Sequence, residues 1–202
     1  MAPPARAGVP FIGLTGGLGA GKSEALRALE ELGAATLSTD AVVHELLEGD
    51  ELRELLVARL GAGVAAGGRV DRSAVAERVF ADPAQRGWLE GVLWPRVGER
   101  VSRWRGEVDG RQPPPRAAVV EVPLLFESGM DSVFDSTIAV VAEESVRSER
   151  AARRGHAAVD SRAAQQLSQD EKVKRADFVV RNDGTLRELR EELSRVLDNI
   201  GR

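Results

Sequence analysis

The chain has 202 residues, 43% of them apolar, with a formal net charge of −4 and no cysteine. That length and apolar share suit one α/β domain with an insertion and exclude a disordered chain, while the missing cysteine excludes a disulfide framework, thiolate zinc sites and a cysteine nucleophile. The acidic balance argues against general nucleic-acid binding. No apolar stretch approaches membrane-spanning length, and residues 1–10 are too short and Pro/Ala-rich for a signal peptide, so a cytoplasmic protein free of membranes is expected.

Residues 10–15 form the first apolar run and read as a buried strand. Gly16-Gly17-Leu18-Gly19-Ala20-Gly21-Lys22-Ser23 comes next, a complete G-x-x-x-x-G-K-S phosphate-binding loop. A helical pattern through Ala25, Leu26, Leu29 and Leu32 continues from it and is stopped by Gly33. In that setting the glycines let backbone N–H groups turn toward an anion, and the helix adds the positive end of its dipole. Lys22 is one of three lysines in the chain, with Lys172 and Lys174.

A second strand is expected over 34–38, followed by Asp40, which also has the position of a cap for a helix over 41–47. The almost eighty residues before the next strand exceed what a crossover needs. They read as helices: Asp50 as cap for Leu52, Leu55, Leu56 and Leu60, Asp71 as cap for Val75, Val79 and Phe80, and Asp82-Pro83 as the start of a long helix that Pro95 should kink. Most tryptophans and leucines of this insertion read as core. Gln112-Pro113-Pro114-Pro115 is a stiff connector back to the sheet.

Further strands are expected over 117–122, 137–142 and 177–181. With helical patterns between them, the five runs predict a five-stranded parallel sheet flanked by helices, a P-loop NTPase-like α/β fold. A second insertion, 143–172, carries Arg147, Arg150, Arg153, Arg154 and Arg162. Arg147, Arg150 and Arg154 share one face of a helix over 146–154, as a basic lid closing over phosphates would require. The expected division is a nucleotide-binding core of 9–43, 116–142 and 173–202, a helical substrate domain of 44–115, and the lid.

Phosphoryl transfer needs a phosphate cradle, a metal ion, positive charge on the transferred group and a residue orienting the acceptor oxygen. Gly17, Leu18, Gly19, Ala20, Gly21, Lys22, Ser23 and Glu24 are the expected ATP-binding residues, with Lys22 on the β- and γ-phosphates. Mg²⁺ is expected on Ser23 and on Glu121, the acid ending the third strand. Arg150 and Arg154 are the candidate lid cations. Asp40, at the carboxyl end of the second strand where parallel α/β sheets bind ligands, is the candidate base, and His44 lies one turn later. The dinucleotide fingerprint is absent, because Lys22 stands where its third glycine belongs, and no Asn-Lys-x-Asp guanine-reading string occurs. A small-molecule kinase remains. These parts fit a nucleoside monophosphate kinase equally well, and leave open a non-catalytic ATP-binding switch.

From residue 12 to the last helix the sequence resembles the dephospho-CoA kinase family. The opening at 12–23, the aspartate at Asp40, Asp71-Arg72 followed by Val79-Phe80 and Pro83, and Val122-Pro123-Leu124-Leu125-Phe126-Glu127 carry the resemblance. So do Arg150, Arg154, Arg162, Gln166, Lys172, Ala176-Asp177 and Asn182-x-Gly184. The resemblance implies ATP-dependent phosphorylation of the 3′-hydroxyl of dephospho-CoA, with Asp40 as base, Arg72 and His44 contacting the acceptor, and Asn182 near the adenine. It implies no obligatory protein partner. Ser38, Glu24 and Trp94 depart from the family's usual Asp, Thr and His. A carboxylate at Glu24 repels a phosphate unless it turns outward.

Overall fold

The computed structural model describes residues 8–152 and 166–201. Arg153, Arg154 and Arg162 of the expected lid lie outside the described residues. Two compact units are distinguished, one from the described parts of 1–38 and 103–202, the other comprising Thr39–Ser102.

The first unit is built on five parallel strands, β1 (Phe11–Gly16), β2 (Ala35–Ser38), β3 (Ala118–Glu121), β4 (Ser136–Val141) and β5 (Phe178–Arg181), in the order β2-β3-β1-β4-β5. All five agree with the apolar runs to within one residue at either end. In β1 every residue is buried, with β3 and β4 paired to it on either side. Helices α1 (Lys22–Glu31) and α8 (Leu186–Ile200) cover one face. Ala25 and Leu29 of α1 meet Leu189, Leu193, Val196 and Leu197 of α8 over Ile12, Leu14, Val119, Ile138, Val140 and Val180 of the sheet. Gly33 ends α1 as expected, with Ala34 N donating to Leu29 O at 3.0 Å.

In the second unit, α2 (Thr39–Glu48) begins at Thr39, so Asp40 lies inside its first turn and is not its cap; its charge there still complements the helix dipole. Helix α3 (Asp50–Leu60) is capped by Gly49, without a side-chain bond, and not by Asp50, whose carboxylate instead pairs with Arg53 one turn on. Asp71 does cap α4 (Arg72–Ala81), accepting from Ser73 N at 2.9 Å and Ala74 N at 3.2 Å. Leu52, Leu56, Val64, Val75 and Val79 form this unit's own core, with Trp88, Leu89, Val92 and Leu93 packed against it from α5 (Pro83–Asp109). Helix α5 continues through Pro95. Apolar residues before the proline (Leu89, Val92, Leu93) and after it (Val97, Val101) are wholly or partly buried, which offsets the lost backbone donor. Trp94 departs from the core reading and is half exposed.

Helix α6 (Glu144–Ala152) comes after β4, and α7 (Gln169–Arg175) precedes β5. Both α7 and α8 start with capping boxes, Ser168 with Glu171 and Thr185 with Glu188. The bonds from Thr185 hold the Glu188 carboxyl below its ordinary value of 4.5. A carboxyl with a depressed folded-state pKa contributes stability above its unfolded value and loses it as pH falls through the folded one. Glu188→Gln is therefore expected to flatten the acid limb of a stability–pH curve below about pH 4.5. The contrast between core and surface is testable on one helix. Leu193→Ala, in the fully buried cluster, should cost about 2–5 kcal/mol in denaturant unfolding. Leu186→Ala, at an exposed position of α8, should change stability by less than about 0.5 kcal/mol.

Candidate phosphate-binding site

The glycine-rich loop leaves β1 at Gly16 and enters α1 at Lys22. Ala20 N closes a turn onto Gly17 O at 3.2 Å, and Ala25 N makes the first helical bond to Gly21 O at 3.0 Å. Gly19 has φ +74° and Gly21 φ +93°, a region open to glycine at little cost. Space restricts these positions as well. A Cβ on Gly19 would lie 2.6 Å from the backbone oxygen of Arg147, and one on Gly21 would run into the Asn182 amide nitrogen.

Those two contacts identify what shapes the loop. Asn182, just past β5, receives its register from Asn182 N donating to Val141 O at 2.8 Å. Its buried side chain donates Nδ2 to Ala20 O at 3.0 Å, and its own carbonyl accepts from Arg150 Nη1 at 2.9 Å. On the other side, Arg147 of α6 donates Nε to Leu18 O at 2.9 Å, and Nη1 to Glu144 at 2.8 Å. Lys22 Nζ donates to Gly16 O at 3.0 Å and Gly17 O at 3.2 Å. The carbonyls of residues 16, 17, 18 and 20 are thus all taken by protein side chains. A loop whose carbonyls are held this way can present N–H groups to an anion.

Ser23 is exposed in the first turn of α1. Glu24 is turned along the helix to Arg27, both carboxylate oxygens 3.2 Å from Arg27 Nη1, so the carboxylate has a partner away from the loop. Glu121 is buried at the end of β3, paired in register with Leu14 of β1 and Ser38 of β2. The structure thus gathers residues 17–23, Arg150 and Asn182 around one loop, with Glu121 ending the strand beside β1. Asp40, His44 and Arg72 belong to the second unit. Asp40 and Arg72 are exposed in the first turns of α2 and α4, and His44 is exposed with its Nε2 3.6 Å from Glu48.

Two features of the site escape the sequence reading. One is Arg147 itself, singled out only as part of a basic face. The other is a buried ion pair, Lys172 Nζ to Glu127 Oε1 at 2.9 Å. Lys172 also donates to Pro123 O at 2.8 Å and to Thr15 Oγ1 at 3.3 Å. Burial pushes its ammonium below the ordinary lysine value, and the Glu127 carboxylate offsets part of that. The two partners are 45 positions apart in sequence, and spacing carries no signal for such a pair.

A family model described as dephospho-CoA kinase matches residues 10–188. The dephospho-CoA kinase of Protochlamydia amoebophila is 39% identical over 187 residues, covering 90% of this chain and 92% of that protein. Among solved structures, TT1252 from Thermus thermophilus superposes with a TM-score of 0.79 at 31% identity, covering 95% of this chain and 98% of that one. The dephospho-CoA kinase from Campylobacter jejuni superposes with a TM-score of 0.62 at 21% identity, over 95% and 97% of the two chains; this second likeness speaks to the fold.

The packing of Gly19 makes a sharp expectation. Gly19→Ala places a methyl group against the Arg147 backbone at a φ that side chains avoid. Calorimetric titration should show nucleoside triphosphate affinity reduced by about tenfold or more, in a protein that still folds but melts a few degrees below wild type. Unchanged affinity would mean that the loop does not bind phosphate in this shape.

Proposed function

The chain belongs to the dephospho-CoA kinase family, and from that membership we propose that it transfers the γ-phosphoryl group of ATP to the ribose 3′-hydroxyl of dephospho-CoA, giving coenzyme A and ADP, the final step of coenzyme A synthesis. The observation that carries this reading is the complete glycine loop between a fully buried central strand and a helix N-terminus, in a chain matched by the family over residues 10–188.

In this reading the backbone of residues 17–23 cradles the phosphates and Lys22 supplies charge to the β- and γ-phosphates. The ammonium already lies beside the loop, on the carbonyls of Gly16 and Gly17. Arg150, one turn beyond Arg147 on α6, and Arg154 stabilise charge on the transferred group. Asp40 orients the acceptor hydroxyl and takes its proton. Arg72 and His44 contact the acceptor. Asn182 shapes the loop through Ala20 and contributes to the nucleotide site.

Mg²⁺ fits the donors present. Ser23 offers an exposed hydroxyl and Glu121 a carboxylate, both hard oxygen ligands. Among the described residues no group of three or more His, Asp or Glu could hold a metal ion, which suits an ion held through one or two protein donors and substrate phosphates. When bound, the ion neutralises charge on the β- and γ-phosphate oxygens.

Residues 9–43, 116–142 and 173–202 are proposed as the nucleotide-binding core, 44–115 as the acceptor domain and 143–172 as the lid. No helix among the described residues is long and apolar enough to cross a membrane. We place the reaction in the cytoplasm, with small-molecule substrates and no obligatory protein partner.

ADP release measured with dephospho-CoA and with adenosine as acceptors tests the reading. Dephospho-CoA carries a pyrophosphate that Arg72 can hold, and adenosine does not, so kcat/KM should favour dephospho-CoA strongly. Comparable values for the two would overturn the acceptor assignment. Asp40→Asn should lower kcat by about 10²–10⁴-fold with ATP affinity changed much less. A collapse of ATP binding in that variant would instead give Asp40 a role in metal or nucleotide binding.

A further inference from the structure

We propose that the buried Lys172–Glu127 pair is a positioning device for the phosphate loop: it sets the root of the loop against the segment after β3 and the foot of the 143–172 insertion. The proposal rests on the reading that the loop binds the phosphates of ATP.

Lys172 is fully buried in α7. Its ammonium has three donors, and the three acceptors within reach come from the end of β1 and from the segment that leaves β3. Thr15 Oγ1, at 3.3 Å, sits on the residue immediately before Gly16, where the loop begins. Pro123 O, at 2.8 Å, lies two residues past Glu121. Glu127 Oε1, at 2.9 Å, also accepts from Leu167 N at 2.7 Å, which ties in the chain just before α7. Thr15 Oγ1 is itself 3.4 Å from Pro123 O. Gln169 adds a fourth attachment, its side chain bonding both the N–H and the carbonyl of Ala142 after β4, at 3.0 and 3.1 Å. One short helix is thereby fastened to the carboxyl ends of β1, β3 and β4 together.

Stability alone does not account for this arrangement. Removing two charges from water is costly, and buried ion pairs can often be replaced by apolar side chains of similar volume without loss. Such a pair differs from an apolar contact in direction. An ammonium bonded to all three acceptors draws Thr15, Pro123 and Glu127 to one point, in addition to the backbone bond from Val122 N to Leu14 O beside them, whereas an apolar side chain supplies no such bonds. A shift of the loop root moves every N–H donor and Lys22 relative to the phosphates, and misplacement from a distance can be severe for catalysis.

The test separates positioning from stability. Lys172→Met combined with Glu127→Gln removes both charges, keeps the volumes, and leaves an acceptor for Leu167 N. Thr15→Val is isosteric and leaves the Lys172–Glu127 pair in place, removing only the hydroxyl that ties the loop root to Lys172 and to Pro123 O. Each folded variant is titrated calorimetrically with ATP and with AMP. The ratio of the two affinities reads the loop's hold on the β- and γ-phosphates without any acceptor present. We expect melting temperatures close to wild type, with the ratio reduced about tenfold in the double variant and about threefold in Thr15→Val, and kcat falling more than KM changes. Ratios and kcat within about twofold of wild type in the folded variants would overturn the proposal and leave the pair a structural element. If the double variant fails to fold, Thr15→Val decides by the same criterion. Because the ratio needs no acceptor, failure of the dephospho-CoA assignment would show separately, as wild-type protein with an intact ratio and no turnover of that acceptor.

Discussion

The phosphate loop holds its shape because its glycines press directly on two neighbours from distant parts of the chain. Gly21 lies against the Asn182 side chain, and Gly19 against the backbone of Arg147. Both sit at positive φ, where another residue would cost about 1–2 kcal/mol before any contact is counted. The hydrogen bonds from Asn182 to Ala20 O and from Arg147 to Leu18 O act at the same two points. Carbonyls that would oppose an anion are thereby held by donors, and the anion-facing side is left to N–H groups and the α1 dipole.

That arrangement depends on the strand order. With β1 central in β2-β3-β1-β4-β5, the loop emerges between the carboxyl ends of β3 and β4. The segments leaving the two neighbouring strands and the edge strand beyond β4 are then brought to this end of the sheet: Glu121 and residues 122–127 from β3, α6 with Arg147 and Arg150 from β4, and Asn182 from β5. The connection leaving β1 runs to one side of the sheet and that leaving its neighbour β3 runs to the other, and such a divergence is where parallel α/β sheets form their binding crevice. A polar site at this point needs rigid support. Burial of all six β1 residues supplies it on the apolar side, and the Lys172 network supplies it on the polar side.

Charge is distributed to the same end. Several ion pairs of the described residues are exposed pairs one helical turn apart, such as Arg27–Glu24 and Arg53–Asp50, and contribute little to stability. Arg27 nonetheless matters to the site, because it gives Glu24 a partner away from the phosphates. Lys172–Glu127 is the deeply buried exception, its lysine side chain 1% exposed. Arginine cannot shed its proton and forms planar, directed bonds. It suits Arg147 and Arg150, each of which bridges α6 to a backbone carbonyl.

Local sequence determined those features whose causes are local. Buried parallel strands must be apolar along their length, so all five were readable to within a residue. The glycine loop was readable because its chemistry requires fixed residue types at fixed spacing, and the Asp71 cap because it bonds within its own turn. Helix starts at Thr39 and Asp50 were misread by two positions and one, since a first-turn carboxylate and a cap have nearly the same sequence signature. The family membership was legible from motifs spread along the chain. Tertiary structure alone decided the partners brought together by long loops. Strand order is not encoded in any strand's own pattern. Contacts between Arg147 and Gly19, Asn182 and Gly21, or Lys172 and Glu127 span 128, 161 and 45 positions, and no periodicity reaches that far. Packing of the whole sheet, with its one central strand and its collected carboxyl ends, is what makes those residues neighbours.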